Sequence, residues 1–473
     1  MQCVAEPGRE IPVLDEGDVL VAGGGVAGCA AAVSAARAGA KTMLLERNGC
    51  LGGVATASYM ASIGNRYLIA SGRRVIHGFA GEFVDRLVAA GAASPRWEHR
   101  DVPGCCFDSE RLKVILIDWL AEAGAQVLTH ALAARPIMED GRVRGVFVES
   151  KSGRQAVLAK AVVDATGEAD LAAQAGAETR MAGGTASILF KIANVDLDKF
   201  ADFLLQDPDG FPAGMDTVKD AETFGRNWKQ RGILFFPHGG GKSWRWLQQL
   251  GGLEDRVGAA FGLQALGMYA VAGPGTVVIN SNFYRVHNLD VRKLSEFELH
   301  AQKMCYYVGE YLIRTVPGFS RGRIVSMGTD LGVRHGRVIV GRSTLKAKHI
   351  KDPPGPFLAD DVIGVTPAQD TRRTGGEFYH DFTTDVPFGI TVPTGPPNLL
   401  VASAKSVATV PAGIIRGMTG CMICGQAAGV ASALAAQQGV PSADVPVPEI
   451  QVRLLSQGVY LGDEDRLKSL HLV

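Results

Sequence analysis

The hydrophobic pattern opens, at residues 18–22, with a short apolar run that predicts a strand buried on both faces. Ala-rich, helix-forming text follows over residues 29–39, then a second strand-like run over 41–45. Further runs predict strands at 126–128, 161–163 and 398–402. The last of these leads into a glycine-spaced helix containing Gly425-Gln426-Ala427-Ala428-Gly429. From residue 186 to about 325, polar loops alternate with shorter elements, among them strands at 187–192 and 276–279 and a helix at 294–314. Strands at 338–340 and 388–392 flank a loop-rich stretch at 350–380. A chain of 473 residues exceeds one ordinary core, so two domains are expected.

The link between the first two strands carries chemistry. It reads Gly23-Gly24-Gly25-Val26-Ala27-Gly28. Gly23 permits the tight turn, Gly25 lets backbone approach a pyrophosphate, and Gly28 lets helix and strand pack closely. The helix N-terminus then faces the phosphates. The second strand ends in Glu46, 18 residues after Gly28, where an acid accepts hydrogen bonds from ribose hydroxyls. Strand, loop, helix and acid together predict a bound adenine dinucleotide, but they do not choose between NAD and FAD. A second glycine pair, Gly52-Gly53, stands just behind the acid in ERNGCLGG and allows close approach to the middle of a long, extended cofactor. Asp164-Ala165-Thr166-Gly167 ends the strand at 161–163 and lies naturally against the first loop.

These pieces, in this order, resemble the FAD-dependent oxidoreductases of the glutathione-reductase-like superfamily. The resemblance covers most of the chain and rests on ERNGCLGG, FDSERLKVILIDWLAEAGAQVL, VVDATGEADLAAQAGA, LGVRHGRVIVG and the stretch from LLVASAKSV through GQAAGVASALA. It implies an α/β fold, a Rossmann-like FAD-binding domain with an inserted α+β substrate domain. The FAD-binding domain would comprise residues 1–185, 326–350 and 391–473; 186–325 would be the insertion, and 351–390 a substrate-domain or loop segment. FAD is the implied cofactor. Gly23, Gly25, Gly28, Glu46, Arg47, Gly52 and Gly53 should contact it, with Thr166 and Gly167 near the pyrophosphate. Leu132 or Ala133 should offer the backbone contact to adenine. The helix starting near Arg416-Gly417-Met418 should point its positive end at the pyrimidine side of the flavin.

Candidate catalytic groups come from the segments expected near the flavin: Arg334 and His335, where the family usually has Glu-Ser after the arginine, together with Lys405 and Arg416. Arg337 reads better as an ion-pair or carbonyl partner. Relatives often place a histidine in the loop after the strand at 398–402; here that loop reads Thr409-Val410-Pro411. Tyr379-His380-Asp381 is a substitute proton-transfer group from elsewhere in the chain, although a loop surface explains it more simply. No motif marks a covalent flavin link, for which His77 and Cys50 are the candidate residues.

Composition narrows the picture further. A formal net charge of zero argues against a nucleic-acid or membrane-surface protein. The polar N-terminus lacks the apolar core of a signal peptide, and the eight scattered cysteines suit free thiols in a reducing cytosol. A cytoplasmic monomer or homodimer acting on a small molecule, without a metal, is the expectation. Gly239-Gly240-Gly241-Lys242-Ser243 imitates a phosphate loop, but Phe236 stands where its first glycine belongs, and Trp244 and Trp246 follow. Cys421 and Cys424 have redox spacing inside a helix whose small residues point to packing instead. The expected activity is hydride transfer from a small organic substrate to FAD. An NAD(P)H-fed reductase lacks its second GxGxxG unit. An electron-transfer subunit lacks the cysteine runs of iron–sulfur clusters, and a flavin-dependent RNA-modifying protein lacks a basic surface.

Overall fold

The structure is a computed structural model. It describes residues 3–4, 8–64, 67, 73–99, 102, 104–206, 221–236, 266–271, 275–350, 359–367 and 383–473. The phosphate-loop imitation at 239–243, Trp244, Trp246 and Tyr379-His380-Asp381 lie outside the described residues.

Strand β1 (Val13–Ala22) enters the interior at its C-terminal end, where Val19, Leu20, Val21 and Ala22 are all buried. It runs parallel to β2 (Thr42–Leu45), which in turn pairs in parallel with β3 (Gln126–Leu128). Strands β4 (Leu132–Glu139), β5 (Arg142–Ser150) and β6 (Gly153–Asp164) form an antiparallel meander. The sheet order is β3-β2-β1-β6-β5-β4. β6 is long enough to serve two partners along one edge: its first residues pair with β5, and Val162, Val163 and Asp164 pair in parallel with the strand Leu399–Val401. β1 covers its other edge. This is the Rossmann-like α/β architecture that the family resemblance implied, and it brings the ends of β1, β2 and β6 to one side of the sheet.

Two helices that pack against that sheet also touch each other, and their contact explains two of the glycines. The first helix, Val26–Arg37, is followed in space by Met418–Gln438, a helix apolar around its whole circumference and buried along nearly its whole length. By length and composition it could cross a membrane, yet its apolar window lies wholly inside the fold. A Cβ on Gly425 would fall 2.1 Å from the Ala27 carbonyl oxygen, and one on Gly429 the same distance from that of Ala31. The two helices therefore meet backbone to backbone, which only glycine at those two positions permits.

A second core lies under a five-stranded antiparallel sheet. Its order is Ile233–Phe236, Gly267–Val271, Val277–Asn280, Leu189–Ala193, Arg323–Met327. Phe190, Met304, Val308 and Leu312 belong to this core, the last three from the helix Val291–Thr315. That helix starts before the expected residue 294 because Asp290 caps it, accepting hydrogen bonds from the Arg292 and Lys293 amides.

Two strand expectations need correction. Residues 187–192 are not one strand: Gly184–Ser187 and Leu189–Ala193 belong to different sheets. Between them, the Asn282 side chain accepts from the Ile188 amide at 2.9 Å and donates to its carbonyl at 2.8 Å, removing both groups from any ladder. Residues 388–392 form a 3-10 turn, Phe388–Thr391, rather than a strand. There the Phe388 amide donates to the Asp361 carbonyl and the Gly389 amide to the Asp361 side chain.

Polar contacts tie the five-stranded sheet and the segment after it to the parallel sheet's loops. Arg47 Nη2 donates to both Asp330 oxygens at 2.6 and 2.7 Å. Lys191 Nζ donates to Glu110 at 2.7 Å and lies 4.1 Å from the Tyr59 ring centroid, a desolvated cation–π contact. The Tyr59 hydroxyl in turn shares a 2.6 Å hydrogen bond with Ser326.

The helix contact makes a prediction. Gly429→Ala should lower the free energy of unfolding in urea by about 1–3 kcal/mol, because the Ala31 backbone cannot withdraw from the added methyl. Equal stability of variant and parent would show that the two helices part freely.

Candidate functional site

The glycines of the first loop are glycines for two different reasons. Gly23 sits at φ +105°, and a Cβ there would fall 2.4 Å from the Ala165 carbonyl oxygen. A Cβ on Gly28 would fall 1.8 Å from the Gly23 carbonyl oxygen. Protein packing dictates both. Gly25 differs. Its φ of −67° and ψ of 177° suit any residue, and a Cβ there would meet only the Gly53 Cα, at 3.9 Å. Nothing in the described protein requires glycine at 25, so its bare backbone fits a group from outside the chain.

The surroundings of Gly25 specify that group. Gly25 is the N-cap of the helix Val26–Arg37 and makes no side-chain cap hydrogen bond, so no side chain covers this helix end. The second glycine pair lies alongside: Gly52 bridges Gly25 in parallel register, and its amide donates to the Gly24 carbonyl at 2.8 Å. Gly52 and Gly53 both have positive φ, +100° and +53°. Two glycine turns and a helix N-terminus form a cradle of the kind that can hold an anion such as a pyrophosphate.

Glu46 stands beside that cradle, 5% exposed. Its Oε2 accepts from the Gly24 amide and its Oε1 from the Asn48 amide, each at 2.7 Å. Burial raises its pKa against these two lowering hydrogen bonds. Each oxygen keeps a further lone pair, the right inventory for ribose hydroxyls. The Glu46 carbonyl accepts from Ala131, which sets Leu132 and Ala133, at the head of β4, next to the acid. Leu132 is 47% exposed.

At the end of β6, Asp164 is fully buried and organises the next turn. Its Oδ1 accepts from the Thr166 hydroxyl at 2.6 Å and the Thr166 amide at 3.1 Å, and its Oδ2 from the Ala172 amide at 2.9 Å. Burial still pushes its pKa up to about 6. Gly167 follows at φ +98°, its carbonyl accepting from the Ser406 hydroxyl.

The four candidate catalytic residues fall into three environments. The Arg334 guanidinium lies 4.7 Å from the Phe283 ring centroid. His335 packs between two glycines: a Cβ on Gly184 would be 2.7 Å from its Nδ1, and one on Gly413 would be 2.5 Å from its Nε2. Arg416 Cδ lies 3.1 Å from that same Gly413 position, and the Arg416 amide donates to the Gly413 carbonyl. The structure thus brings His335 and Arg416 together at the loop that carries no histidine of its own. Gly417 is the N-cap of Met418–Gln438 and, like Gly25, makes no side-chain cap hydrogen bond. Lys405 is held elsewhere, its Nζ paired with Glu168 and donating to the Val333 carbonyl at 2.8 Å. Arg337 makes the expected ion pair, with Asp170 at 2.9 Å.

Glu168 is the partner that sequence reasoning missed. It stands next to Gly167 inside VVDATGEADLAAQAGA, and that adjacency was its one available signal. Arg47, expected at the cofactor, is engaged by Asp330 instead of standing free. Cys421 and Cys424 are free thiols buried in the helix Met418–Gln438, and burial raises the pKa of both, that of Cys424 well above the ordinary thiol range. Among the described residues no group of three or more His, Cys, Asp or Glu could hold a metal ion.

Sheet order, paired glycine turns and the ribose-type acid define a dinucleotide-binding fold. The chain belongs to the FAD dependent oxidoreductase family, whose model matches residues 18–454; it is an enzyme, and its cofactor is FAD. Digeranylgeranylglycerophospholipid reductase 2 of Methanothermobacter thermautotrophicus is 32% identical over 186 residues, 38% of this chain and 48% of that protein. The reductase 2 of Methanopyrus kandleri is 31% identical over 224 residues, 42% of this chain and 50% of that protein. The chain thus matches about half the length of each of these two relatives. Among solved structures, a geranylgeranyl bacteriochlorophyll reductase-like protein of Thermoplasma acidophilum has a TM-score of 0.42 at 15% identity, over 96% of this chain and 90% of that one.

Asp164 yields a pH prediction. Its folded pKa of about 6 lies above the ordinary 3.8, so the folded protein binds its proton more tightly than the unfolded chain does. Its contribution to stability is therefore greatest at low pH and falls as pH rises from about 4 to 6, by about 3 kcal/mol in all. Urea unfolding of Asp164→Asn across that window should show a shallower pH slope than the parent. Identical slopes would mean that Asp164 ionises normally.

Proposed function

We propose that the chain passes a hydride from a small organic substrate to FAD laid out along the loops described above. Gly25 carries this reading, being a glycine that neither its dihedral angles nor its neighbours require. In this reading the pyrophosphate lies against Gly23, Gly25 and Gly28 on one side and Gly52 and Gly53 on the other, with Thr166 and Gly167 nearby. Glu46 takes the adenosine ribose, and the backbone at Leu132 or Ala133 takes adenine.

FAD, when bound, supplies a two-electron hydride acceptor. The uncapped helix end at Gly417 and Met418 offers partial positive charge to a reduced ring. The planar guanidinium of Arg416 can hold a substrate carboxylate. His335, packed against the same glycine, can accept the proton that leaves as the hydride departs. Arg334, lying on Phe283, presents a second cation from the segment that follows Gly332–Val333.

The relatives favour a second reading. They are digeranylgeranylglycerophospholipid reductases, so reduction of a geranylgeranyl-bearing lipid is the alternative direction and substrate. One anaerobic experiment separates the two. Under the first reading, a metabolite screen bleaches the visible flavin band of the holoenzyme, and digeranylgeranylglycerophospholipid does not reoxidise the dithionite-reduced form. Reoxidation by that lipid, with no bleaching by any small metabolite, would replace the first reading with the second.

A further inference from the structure

Three segments meet at Glu168: the turn after β6, the segment 332–337 and the loop after Leu399–Val401. Glu168 Oε1 pairs with Lys405 Nζ, and its Oε2 accepts from the Arg337 amide at 3.2 Å. Its backbone carbonyl accepts from Arg337 Nη1 at 3.0 Å. Lys405 closes the ring by donating to the Val333 carbonyl at 2.8 Å. The stretch that carries Arg334 and His335 is thus held at both ends, at Val333 through Lys405 and at Arg337 by Glu168 directly. The fit is tight, since a Cβ on Gly336 would fall 1.8 Å from Glu168 Oε2. Both partners are largely shielded, with side chains 13% exposed for Glu168 and 17% for Lys405, so water screens the pair little. The other end of this arrangement is the cofactor turn. Lys405 Cε lies 3.1 Å from the position a Gly167 Cβ would occupy, and Ser406 donates to the Gly167 carbonyl.

We propose that Glu168 is a positioning residue, one that transmits occupancy of the cofactor turn at Thr166-Gly167 to the segment bearing Arg334 and His335. It touches neither cofactor nor substrate. It acts through Lys405 and the Arg337 backbone, so that a ligand stiffening the turn also stiffens residues 332–337. The ring also gives Lys405 a role different from the catalytic one that its place in the sequence suggests. This inference rests on the reading that FAD lies along the 164–167 turn.

Deuterium exchange of the full chain, with and without added FAD, tests it without needing a substrate. In the parent, FAD should slow exchange in peptides covering 19–33 and also in those covering 332–340, the latter by at least about threefold. In Glu168→Gln, protection of 19–33 and FAD affinity should persist while the effect at 332–340 disappears. Lys405→Met should behave alike, and Lys405→Arg should restore part of the effect. If Glu168→Gln does not fold, the two Lys405 variants decide the matter. FAD-induced protection at 332–340 that is equal in parent and variants, or missing in a parent protected at 19–33, would overturn the proposal. No protection at 19–33 in the parent would instead overturn the cofactor reading beneath it.

Discussion

Direct contact of backbone with backbone around the helix Val26–Arg37 is the constraint on which the rest depends. At its start, Gly28 sits on the Gly23 carbonyl and Gly23 on the Ala165 carbonyl; along its length, Gly425 and Gly429 sit on Ala27 and Ala31. No side chain intervenes at any of these points. The helix is consequently fixed between the ends of β1 and β6 on one side and the helix Met418–Gln438 on the other. Its N-terminus can point in one direction only, toward the cradle formed with Gly52 and Gly53. The charge asymmetry of a helix is useful to an anion only when the helix is held in this way.

The same close packing sets the electrostatics. Glu46 and Asp164 close the two strands that flank β1's last residues, and both are buried with raised pKa values. Each has its oxygens committed to backbone amides, which hold the loops in shape while the carboxyl groups bear the cost of desolvation. Around the second core the polar groups act as ties between units: Arg47 with Asp330, Lys191 with Glu110 and Tyr59, Lys405 with the Val333 carbonyl. The candidate groups for chemistry, His335 and Arg416, converge on Gly413, where these ties leave a glycine turn between them.

Much of the cofactor side was legible in the chain because its signals are local. The glycine spacing, the acid after β2 and the DATG turn all act within a few dozen residues, and strand and helix periods frame them. What escaped notice depends on distant partners. Glu168 takes its meaning from residues 169 and 237 positions away, so no window of sequence reveals it. The break at Ile188 and the turn at Phe388–Thr391 likewise follow from side chains of Asn282 and Asp361, which claim backbone groups that an apolar pattern assigns to strands. Periodicity reports burial. It does not report which backbone groups are already taken.

The central claim is that Gly25 is glycine for the sake of a bound cofactor and not for the fold. Gly25→Val tests it most directly, with thermal unfolding of the apoprotein and FAD titration measured on the same samples. The expected result is an apoprotein melting temperature matching the parent's, together with FAD binding weakened by at least about tenfold, or 1.4 kcal/mol. Unchanged FAD affinity, or a loss of apoprotein stability that accounts for the weaker binding, would contradict it.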